Sequence, residues 1–281
     1  MSSTVMSKVY IKFYGTRGSI PVCSRDVALF GGNTTCIAIY REKTKRLSIL
    51  DAGTGIRNLG KDMKRFYGDQ KDLSITFSHF HWDHIQGFPF FDPAYDPKMN
   101  INIQVFGKKM ETGALRQIFA QQMREDYFPV SLDRMGATFH FESTADEIVS
   151  ADGLKLTCIE QNHPGGSFGF RVDVDGVSFV ICTDHEHGEE VEEKYVDFAR
   201  GADLLIHDAQ YTTGELATHK GWGHSSYDQC MELAERAGVK RLVFTHHDPD
   251  HNDEFLIKME MKCQDRFKDS FMAREGMKIS I

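Results

Sequence analysis

Three histidines and one aspartate lie within the six residues His79–His84, in the order His-Phe-His-Trp-Asp-His. They follow Leu73–Phe77, whose β-branched and aromatic residues predict a strand. A loop at a strand end can turn several side chains toward one point. Imidazole and carboxylate groups suit a borderline ion such as Zn²⁺, and a pair of neighbouring ions would use all four groups without crowding. The spacing therefore predicts a metal site.

Further residues of the same ligand types lie just past later strand-like runs. They are His163 after Leu154–Ile159, Asp184 after Val177–Ile181, and His246 after Leu242–Thr245. Because each follows a strand, we expect all of them to meet the first cluster at one edge of a sheet sandwich.

This arrangement of His-x-His-x-Asp-His and three later ligands resembles the metallo-β-lactamase superfamily of binuclear metallohydrolases. The resemblance implies an α+β fold, an αββα sandwich of two mixed β-sheets flanked by helices. It also implies two divalent metal ions, with Zn²⁺ expected and Mn²⁺ or Fe²⁺ as alternatives. The implied ligands are His79, His81 and His163 for one ion, Asp83, His84 and His246 for the other, and Asp184 as the bridge. Asp51 is expected to orient a ligand histidine, since ligating imidazoles usually donate their second N–H to a carboxylate or carbonyl.

Other segments resemble the branch that contains ribonuclease Z and the cyclic-phosphate phosphodiesterases. They are Gly15–Ser19, Gly31–Cys36, Leu50–Gly55 and Gly221–Ser226. The resemblance implies that His224, held by Asp208, donates a proton to the leaving oxygen, a contribution of roughly 10²–10⁴-fold. Asp83 is expected to serve catalysis as well as metal binding. Arg17, Asn33, Thr34 and the neighbouring Thr16 are candidate contacts either to a substrate phosphate or to the loops that support the site.

The implied activity is that of a binuclear metal-dependent hydrolase in which a hydroxide shared by the two ions attacks phosphorus. A small-molecule phosphodiester such as a cyclic nucleotide or cyclic phosphate is the expected substrate. Long nucleic acid is disfavoured, because the net charge is −8 and the sequence pI is about 5.9. The alternatives are a lactone, thioester or β-lactam hydrolase on the same site, and a catalytically silent metal-binding sensor. Flavodiiron redox chemistry is less favoured because His81 stands where a carboxylate is expected.

The elements that must position these residues follow from periodicity. Besides the strands named above, we predict Val9–Tyr14, Thr35–Tyr40, Leu47–Leu50, Ile101–Phe106, Gly169–Val174 and Leu204–His207 as strands. Asp175-Gly176 predicts a hairpin turn. Helices are predicted at 56–66 with Thr54 as N-cap, at 111–123, at 227–237 ending on Gly238, and before Met277.

Several residues with reactive or aromatic side chains are not assigned to the metal site. The histidines at 140, 185, 187, 207, 219, 247 and 251 are set aside as exposed, structural or second-choice residues. The run Phe88–Phe91 is either a wall for an aromatic base or core packing, with core packing favoured.

Composition predicts one domain over residues 1–281, because the hydrophobic fraction is 41% in a chain of 281 residues. The six cysteines form no C-x-x-C pair, which argues against a disulfide framework and favours a reducing compartment. With neither a signal-like nor a membrane-length apolar run, we expect a cytoplasmic protein with no membrane partner, possible as a homodimer.

Overall fold

Alternating apolar and polar residues form two facing β-sheets in the computed structural model, which describes residues 8–107, 110–144, 147–149, 151 and 153–281. The first sheet contains β1 (Val9–Gly15), β2 (Cys36–Arg41), β3 (Arg46–Leu50), β4 (Asp72–Phe77), β5 (Asn100–Phe106), β6 (Thr138–Thr144) and β14 (Lys278–Ser280). Their spatial order is β14-β1-β2-β3-β4-β5-β6. Strands β14 to β3 are antiparallel neighbours, whereas β3 to β6 run parallel.

The second sheet mirrors this mixed pattern. It contains β7 (Glu147–Val149), β8 (Lys155–Gln161), β9 (Ser167–Val174), β10 (Val177–Cys182), β11 (Leu204–Asp208), β12 (Leu242–Thr245) and β13 (Ser270–Met272), in the order β13-β12-β11-β10-β9-β8-β7. Strands β10 to β13 are parallel, and β7 to β10 are antiparallel.

Helices cover the outer face of each sheet. The helices are α1 (Ile56–Phe66), α2 (Trp82–Ile85), α3 (Thr112–Gln122), α4 (Glu193–Ala199), α5 (Thr213–Leu216), α6 (Tyr227–Ala237) and α7 (Asp253–Arg266). Helices α1 and α3 share an apolar core with the first sheet, and α4, α6 and α7 share one with the second. A third core lies between the sheets, where Phe106 and Phe170 meet edge to face. The predicted αββα sandwich is therefore confirmed.

The predicted strands and the three longer predicted helices are present, with small shifts at their ends. The Asp175-Gly176 hairpin joins β9 to β10, and Gly238 closes α6 in the left-handed conformation with φ of 65°. The N-cap prediction for Thr54 is wrong, because α1 begins after Gly55 and the Thr54 hydroxyl instead accepts the amide N–H of Thr34.

Strands β6, β7 and β13 and helix α4 were not predicted, because they are short or lack a clear apolar period. The six cysteines, all within the described ranges, form no disulfide with one another. Within the described ranges, none of the helices combines the length and the apolar character needed to cross a bilayer. The single-domain boundary and the homodimer stay predictions.

Candidate metal centre

The predicted ligands converge at the carboxyl-terminal ends of the parallel strands. This is the edge where open α/β sheets generally place their ligands. Two groups of side chains each bring one nitrogen or oxygen per residue within 4.8 Å of the others. The first consists of His79, His81, His163 and Asp184, and the second of Asp83, His84, Asp184 and His246. All seven predicted ligands are therefore in one place.

Asp184 lies between the two groups and turns one oxygen toward each. Its Oδ2 lies 3.6 Å from His79 Nε2 and 3.7 Å from His163 Nε2. Its Oδ1 lies 3.1 Å from His84 Nε2 and 3.3 Å from His246 Nε2. This is the arrangement expected of a carboxylate that bridges two cations.

Each of four ligand imidazoles is oriented by a hydrogen bond from its Nδ1–H, which leaves Nε2 facing the centre. The acceptors are Asp51 Oδ2 for His84 at 2.8 Å, Ser78 Oγ for His79 at 3.1 Å, the Gly223 carbonyl for His163 at 2.9 Å, and Gln210 Oε1 for His246 at 3.0 Å. Asp51 also accepts the backbone N–H and the hydroxyl of Ser78, both at 2.8 Å. Asp51 thus lies where it was expected, behind a ligand histidine.

Three residues of the centre have left-handed backbone, which side chains other than glycine seldom adopt. Their φ angles are 59° at Asp51, 55° at Asp184 and 60° at His246. Each lies at or just past the end of β3, β10 or β12. Such strain persists only where the surrounding structure fixes it, and it concentrates at functional sites.

The electrostatics of the centre favour bound positive charge. Burial disfavours the charged form of Asp184, but His246, His84 and His79 outweigh it and hold its pKa well below the usual range. Burial likewise lowers the pKa of His246, yet the Asp184 carboxylate and the hydrogen bond to Asp83 raise it to about 9. The pKa of His84 is raised for a similar reason, by Asp184, Asp83 and Asp51 against burial. The buried carboxylates therefore draw protons onto two imidazoles, a demand that a metal cation would also meet.

On the other side of Asp184, burial lowers the pKa of His79, His81 and His163. These rings are neutral near pH 7, which is the form that ligates metal.

Polar atoms at the centre lack partners although they are buried. Among the described residues, His79 Nε2, His84 Nε2 and Asp184 Oδ1 are buried and make no hydrogen bond. Buried polar groups are normally paired, so each such atom calls for an explanation. The first group offers three imidazole nitrogens, the second offers two imidazoles and a carboxylate, and the Asp184 carboxylate is shared between them. Such donors suit divalent first-row metals. The residues present therefore fit a binuclear centre.

His224 and Asp208 form a pair beside the second group. His224 Nδ1–H donates to Asp208 Oδ2 at 2.8 Å, and Asp208 is fully buried. The His224 ring stacks on His246 with centroids 4.9 Å apart. Asp208 is itself fixed by the backbone N–H groups of His185 and Gln210, both at 3.1 Å. The Nε2 atom of His224 is left for a substrate.

Of the two alternatives predicted for Arg17, its contacts favour support of the loops over contact with a substrate phosphate. Its side chain is fully buried and donates to the carbonyl oxygens of Gly31 at 2.8 Å, Asp248 at 2.9 Å and His251 at 2.6 Å. A guanidinium can supply donors to loop carbonyls outside regular secondary structure, and here the Asp248 carbonyl also accepts the backbone N–H of His251 at 3.1 Å. Arg17 therefore supports the loops behind the centre.

The contacts of Asn33 and Thr34 likewise favour the second alternative, support of the loops. Asn33 Nδ2 donates to Glu275 Oε2 at 2.9 Å, and the backbone N–H of Asn33 bonds the same carboxylate. The buried Thr34 hydroxyl accepts the backbone N–H of Thr54 at 2.9 Å. Both side chains fix the loop at 31–35 against its neighbours rather than facing substrate.

Two positioning residues were not found from the sequence. Gln210 holds His246, and Glu186 accepts the backbone N–H groups of Gly221 and Gly223 at 2.8–2.9 Å. Both follow strand ends that carry predicted site residues, which is the one signal that would have suggested them.

The histidines set aside earlier have other partners. His185 and His187 are buried and bond each other at 3.0 Å, and His247 Nε2–H donates to the Ala273 carbonyl at 2.9 Å. His251, also buried, pairs with Glu215 at 2.9 Å. None of these belongs to the two groups around Asp184.

The phenylalanine run divides in two. Phe88 and Phe91 are fully buried in the first core, as favoured from the sequence, whereas Phe90 is 54% exposed.

A cavity of about 1040 Å³ opens between the sheets, lined by inner-face residues such as Ser74, Asn102 and Val172 and by none of the seven ligands. The chemistry therefore lies at the sheet edge rather than in this cavity.

Comparisons with known proteins agree with this fold. The family model described as a β-lactamase superfamily domain matches residues 48–247, a range that contains all seven ligands. Ribonuclease Z of Prochlorococcus marinus is 23% identical over 329 aligned residues, which cover 96% of this chain and 99% of that protein. Human tRNase Z, short form, superposes with a TM-score of 0.68 at 19% identity over 97% of this chain and 99% of that one. A diphosphatase of the PhnP family superposes with a TM-score of 0.70 at 18% identity over 97% and 98%.

Proposed function

The chain belongs to the β-lactamase superfamily, and from this premise we propose that it is a metal-dependent phosphodiesterase acting on a small phosphodiester, such as a cyclic nucleotide or cyclic phosphate. The observation that carries the proposal is the His224–Asp208 pair, buried beside the second ligand group with one imidazole nitrogen free. Cleavage of a phosphodiester expels an alkoxide, which needs a proton donor. The relatives called ribonuclease Z and the similarity to a diphosphatase support the same reaction class.

Two divalent ions, with Zn²⁺ as the expected metal, would be held by the seven ligands described above. When bound, they supply Lewis acidity toward the phosphoryl oxygens and lower the pKa of water to about 7. Asp184 would hold the two ions at a fixed separation, since each of its oxygens faces one group.

The chain's own residues then complete the chemistry. Asp208 fixes the ring of His224 by accepting its Nδ1–H, so in the imidazolium form the second N–H, at Nε2, points away from Asp208 and can donate to the leaving oxygen, after which the neutral ring keeps its Nδ1–H. Asp83 contacts both His84 and His246, at 3.3 Å and 3.1 Å, and receives the backbone N–H of Ser19 at 2.9 Å. These contacts hold the second group rigid while the proton moves.

A small substrate is favoured by charge. The net charge of −8 opposes the binding of a long polyanion, which usually depends on many Lys and Arg contacts to phosphate. The ribonuclease Z relatives make RNA the alternative substrate, and the assay below separates the two.

The test uses leaving groups of different basicity. The metal-loaded protein and its His224→Gln variant are assayed on bis(p-nitrophenyl) phosphate and on an alkyl-leaving cyclic phosphate. Loss of the acid should slow the alkyl ester by roughly 10²–10⁴-fold and the activated aryl ester far less. His140→Gln is a suitable control, because His140 is exposed on β6 and belongs to neither ligand group.

Equal losses on both esters would remove the acid role of His224. No turnover of any phosphodiester by protein that holds two ions, with turnover of a lactone or thioester instead, would overturn the proposed function. If the protein cleaves a transfer RNA precursor faster than it cleaves small esters, RNA rather than a small phosphodiester is its substrate.

A further inference from the structure

The chain has two tryptophans, and both are exposed beside the metal centre. Trp82 is 64% exposed and Trp222 is 60% exposed. Large apolar surface left in water is costly when it could be buried, and an exposed aromatic beside a reactive centre commonly marks a binding surface. The surroundings of each ring decide whether that applies here.

Trp82 begins α2 between two ligands. Its neighbours Asp83 and His84 point inward and are buried, while His81, on its other side, is the exposed member of the first group. Successive helical residues point in different directions, so the turn that buries Asp83 and His84 carries Trp82 outward. Trp82 therefore borders the opening through which solvent reaches His81.

Trp222 is held on a fixed loop. Glu186 binds the backbone N–H groups on either side of it, at Gly221 and Gly223. The Trp222 ring meets His219 edge to face at 4.8 Å, and His219 stacks on Tyr211 at 4.5 Å. The ring is thus exposed but already positioned, which limits the entropy lost when it binds a ligand.

Both tryptophans adjoin the same ligand group. The Gly223 carbonyl, next to Trp222, accepts His163 Nδ1–H at 2.9 Å. His163 Nε2 in turn lies 3.0 Å from Nδ1 of His81, next to Trp82. Each tryptophan is therefore next in sequence to a residue of this contact chain, His81 for Trp82 and Gly223 for Trp222, which places both beside the first ligand group.

We propose that Trp82 and Trp222 bind a flat aromatic group carried by the phosphodiester, in biological terms the base of a nucleoside ester. This rests on the proposed function and adds the part of the substrate that the metals do not hold. Indole faces stack on any nucleobase, and such stacking needs no charged partner. An aliphatic ester group would gain no such contact, so the site should prefer aromatic esters.

A binding test does not depend on turnover. Adenosine 5′-monophosphate and ribose 5-phosphate carry the same phosphate, and only the first carries a base. Both are titrated into metal-loaded protein while tryptophan fluorescence is recorded, which reports on these two rings alone. We expect saturable quenching by the adenosine compound, weaker binding of the ribose compound by about tenfold, and loss of that difference in the Trp82→Leu/Trp222→Leu double variant, measured by calorimetry.

The single variants Trp82→Phe and Trp222→Phe assign the quenching, because each leaves one indole. Met261→Ala, which removes an equally exposed side chain on α7, is the control and should bind both compounds as the wild type does. Equal affinity of the wild type for the two phosphates, or a base preference that survives in the double variant, would overturn the proposal.

A kinetic test separates this proposal from the proposed function. Adenosine 2′,3′-cyclic phosphate and glycerol 1,2-cyclic phosphate share the reacting ring, and only the first has a base. Trp222→Leu should lower kcat/KM for the adenosine ester about tenfold more than for the glycerol ester. If neither ester is cleaved but the base preference in binding remains, the phosphodiesterase assignment fails and the aromatic site stands. If both esters are cleaved and the variant lowers kcat/KM equally for both, the phosphodiesterase assignment stands and the aromatic site fails.

Discussion

Gly223 offers a direct test of the first ligand group, because a single methyl group there would strike a proposed ligand. A Cβ added at Gly223 would lie 2.1 Å from His163 Nδ1 and 2.5 Å from Pro164 Cδ. Gly221 is the matched control. Its φ of 82° is close to the 88° of Gly223, and a Cβ there would meet nothing within 4 Å.

The two alanine variants share one cost and differ in the other. Left-handed backbone at alanine costs roughly 1–2 kcal/mol at either position. Only Gly223→Ala must also move His163, since non-bonded carbon atoms rest about 3.5–4.0 Å apart. Disturbing the partner that orients a metal ligand typically costs about 10–100-fold in metal affinity. The difference between the variants should therefore appear in metal binding rather than in stability.

The assay is metal content after dialysis against a weak chelator, with urea unfolding as the measure of stability. Gly221→Ala should retain two ions for each chain. Gly223→Ala should release the first ion at free metal concentrations about 10–100-fold higher than those at which the wild type releases it. Bis(p-nitrophenyl) phosphate turnover should fall with it. If the two variants hold metal equally and turn over equally, His163 is not a ligand and the first group is misassigned.

Three further predictions follow from buried contacts. Asp51→Asn, which keeps a residue that tolerates left-handed backbone, should weaken metal binding about 10–100-fold by replacing the acceptor of the His84 N–H, as metal titration would reveal. Arg17→Gln should lower the free energy of unfolding by about 3 kcal/mol with KM unchanged, because three loop carbonyls lose their donor; a raised KM at wild-type stability would restore its substrate role. Burial holds the pKa of His247 at about 3, so the folded protein keeps it neutral while the unfolded chain takes up a proton below about 6.5. Stability should fall as pH drops from 6.5 toward 3, and His247→Gln should reduce that slope by about 1.4 kcal/mol per pH unit in urea titrations.

The ligands were predictable because two independent signals coincide. Residue type selects imidazole and carboxylate, and position after a strand places them at one sheet edge, as at His79, Asp184 and His246. Gln210 carries neither signal, since amide side chains serve many purposes and its contact with His246 exists only in the folded chain. The contribution of Gly223 is a backbone carbonyl, which no residue type announces.

The choice between the two alternatives for Arg17 could not be made from the sequence for a related reason. An arginine beside glycines can bind a phosphate, but its guanidinium can equally donate hydrogen bonds to several loop carbonyls. Which of these applies depends on whether neighbouring loops close over the side chain. Here segments more than 230 residues away in sequence do so, and local pattern does not contain that information.

The strained residues explain how the centre keeps several buried carboxylates close together. Asp51, Asp184 and His246 each adopt left-handed backbone at a strand end, at a cost of roughly 1–2 kcal/mol apiece. Along a strand, successive side chains alternate between the two faces of the sheet. A left-handed residue breaks that alternation at the sheet edge, so its side chain can turn toward the centre between the strand ends. Each of these strand ends has a hydrogen-bonded neighbour on both sides, parallel on both sides of β12 and on one side of β3 and β10. The sheets therefore hold the strained residues in place, and the ligands are set by the sheets rather than gathered by the metal. Replacing one of these residues with glycine would relieve the strain, but it would also remove the side chain that binds the metal or orients a ligand. These positions therefore combine an unfavourable backbone with a polar side chain.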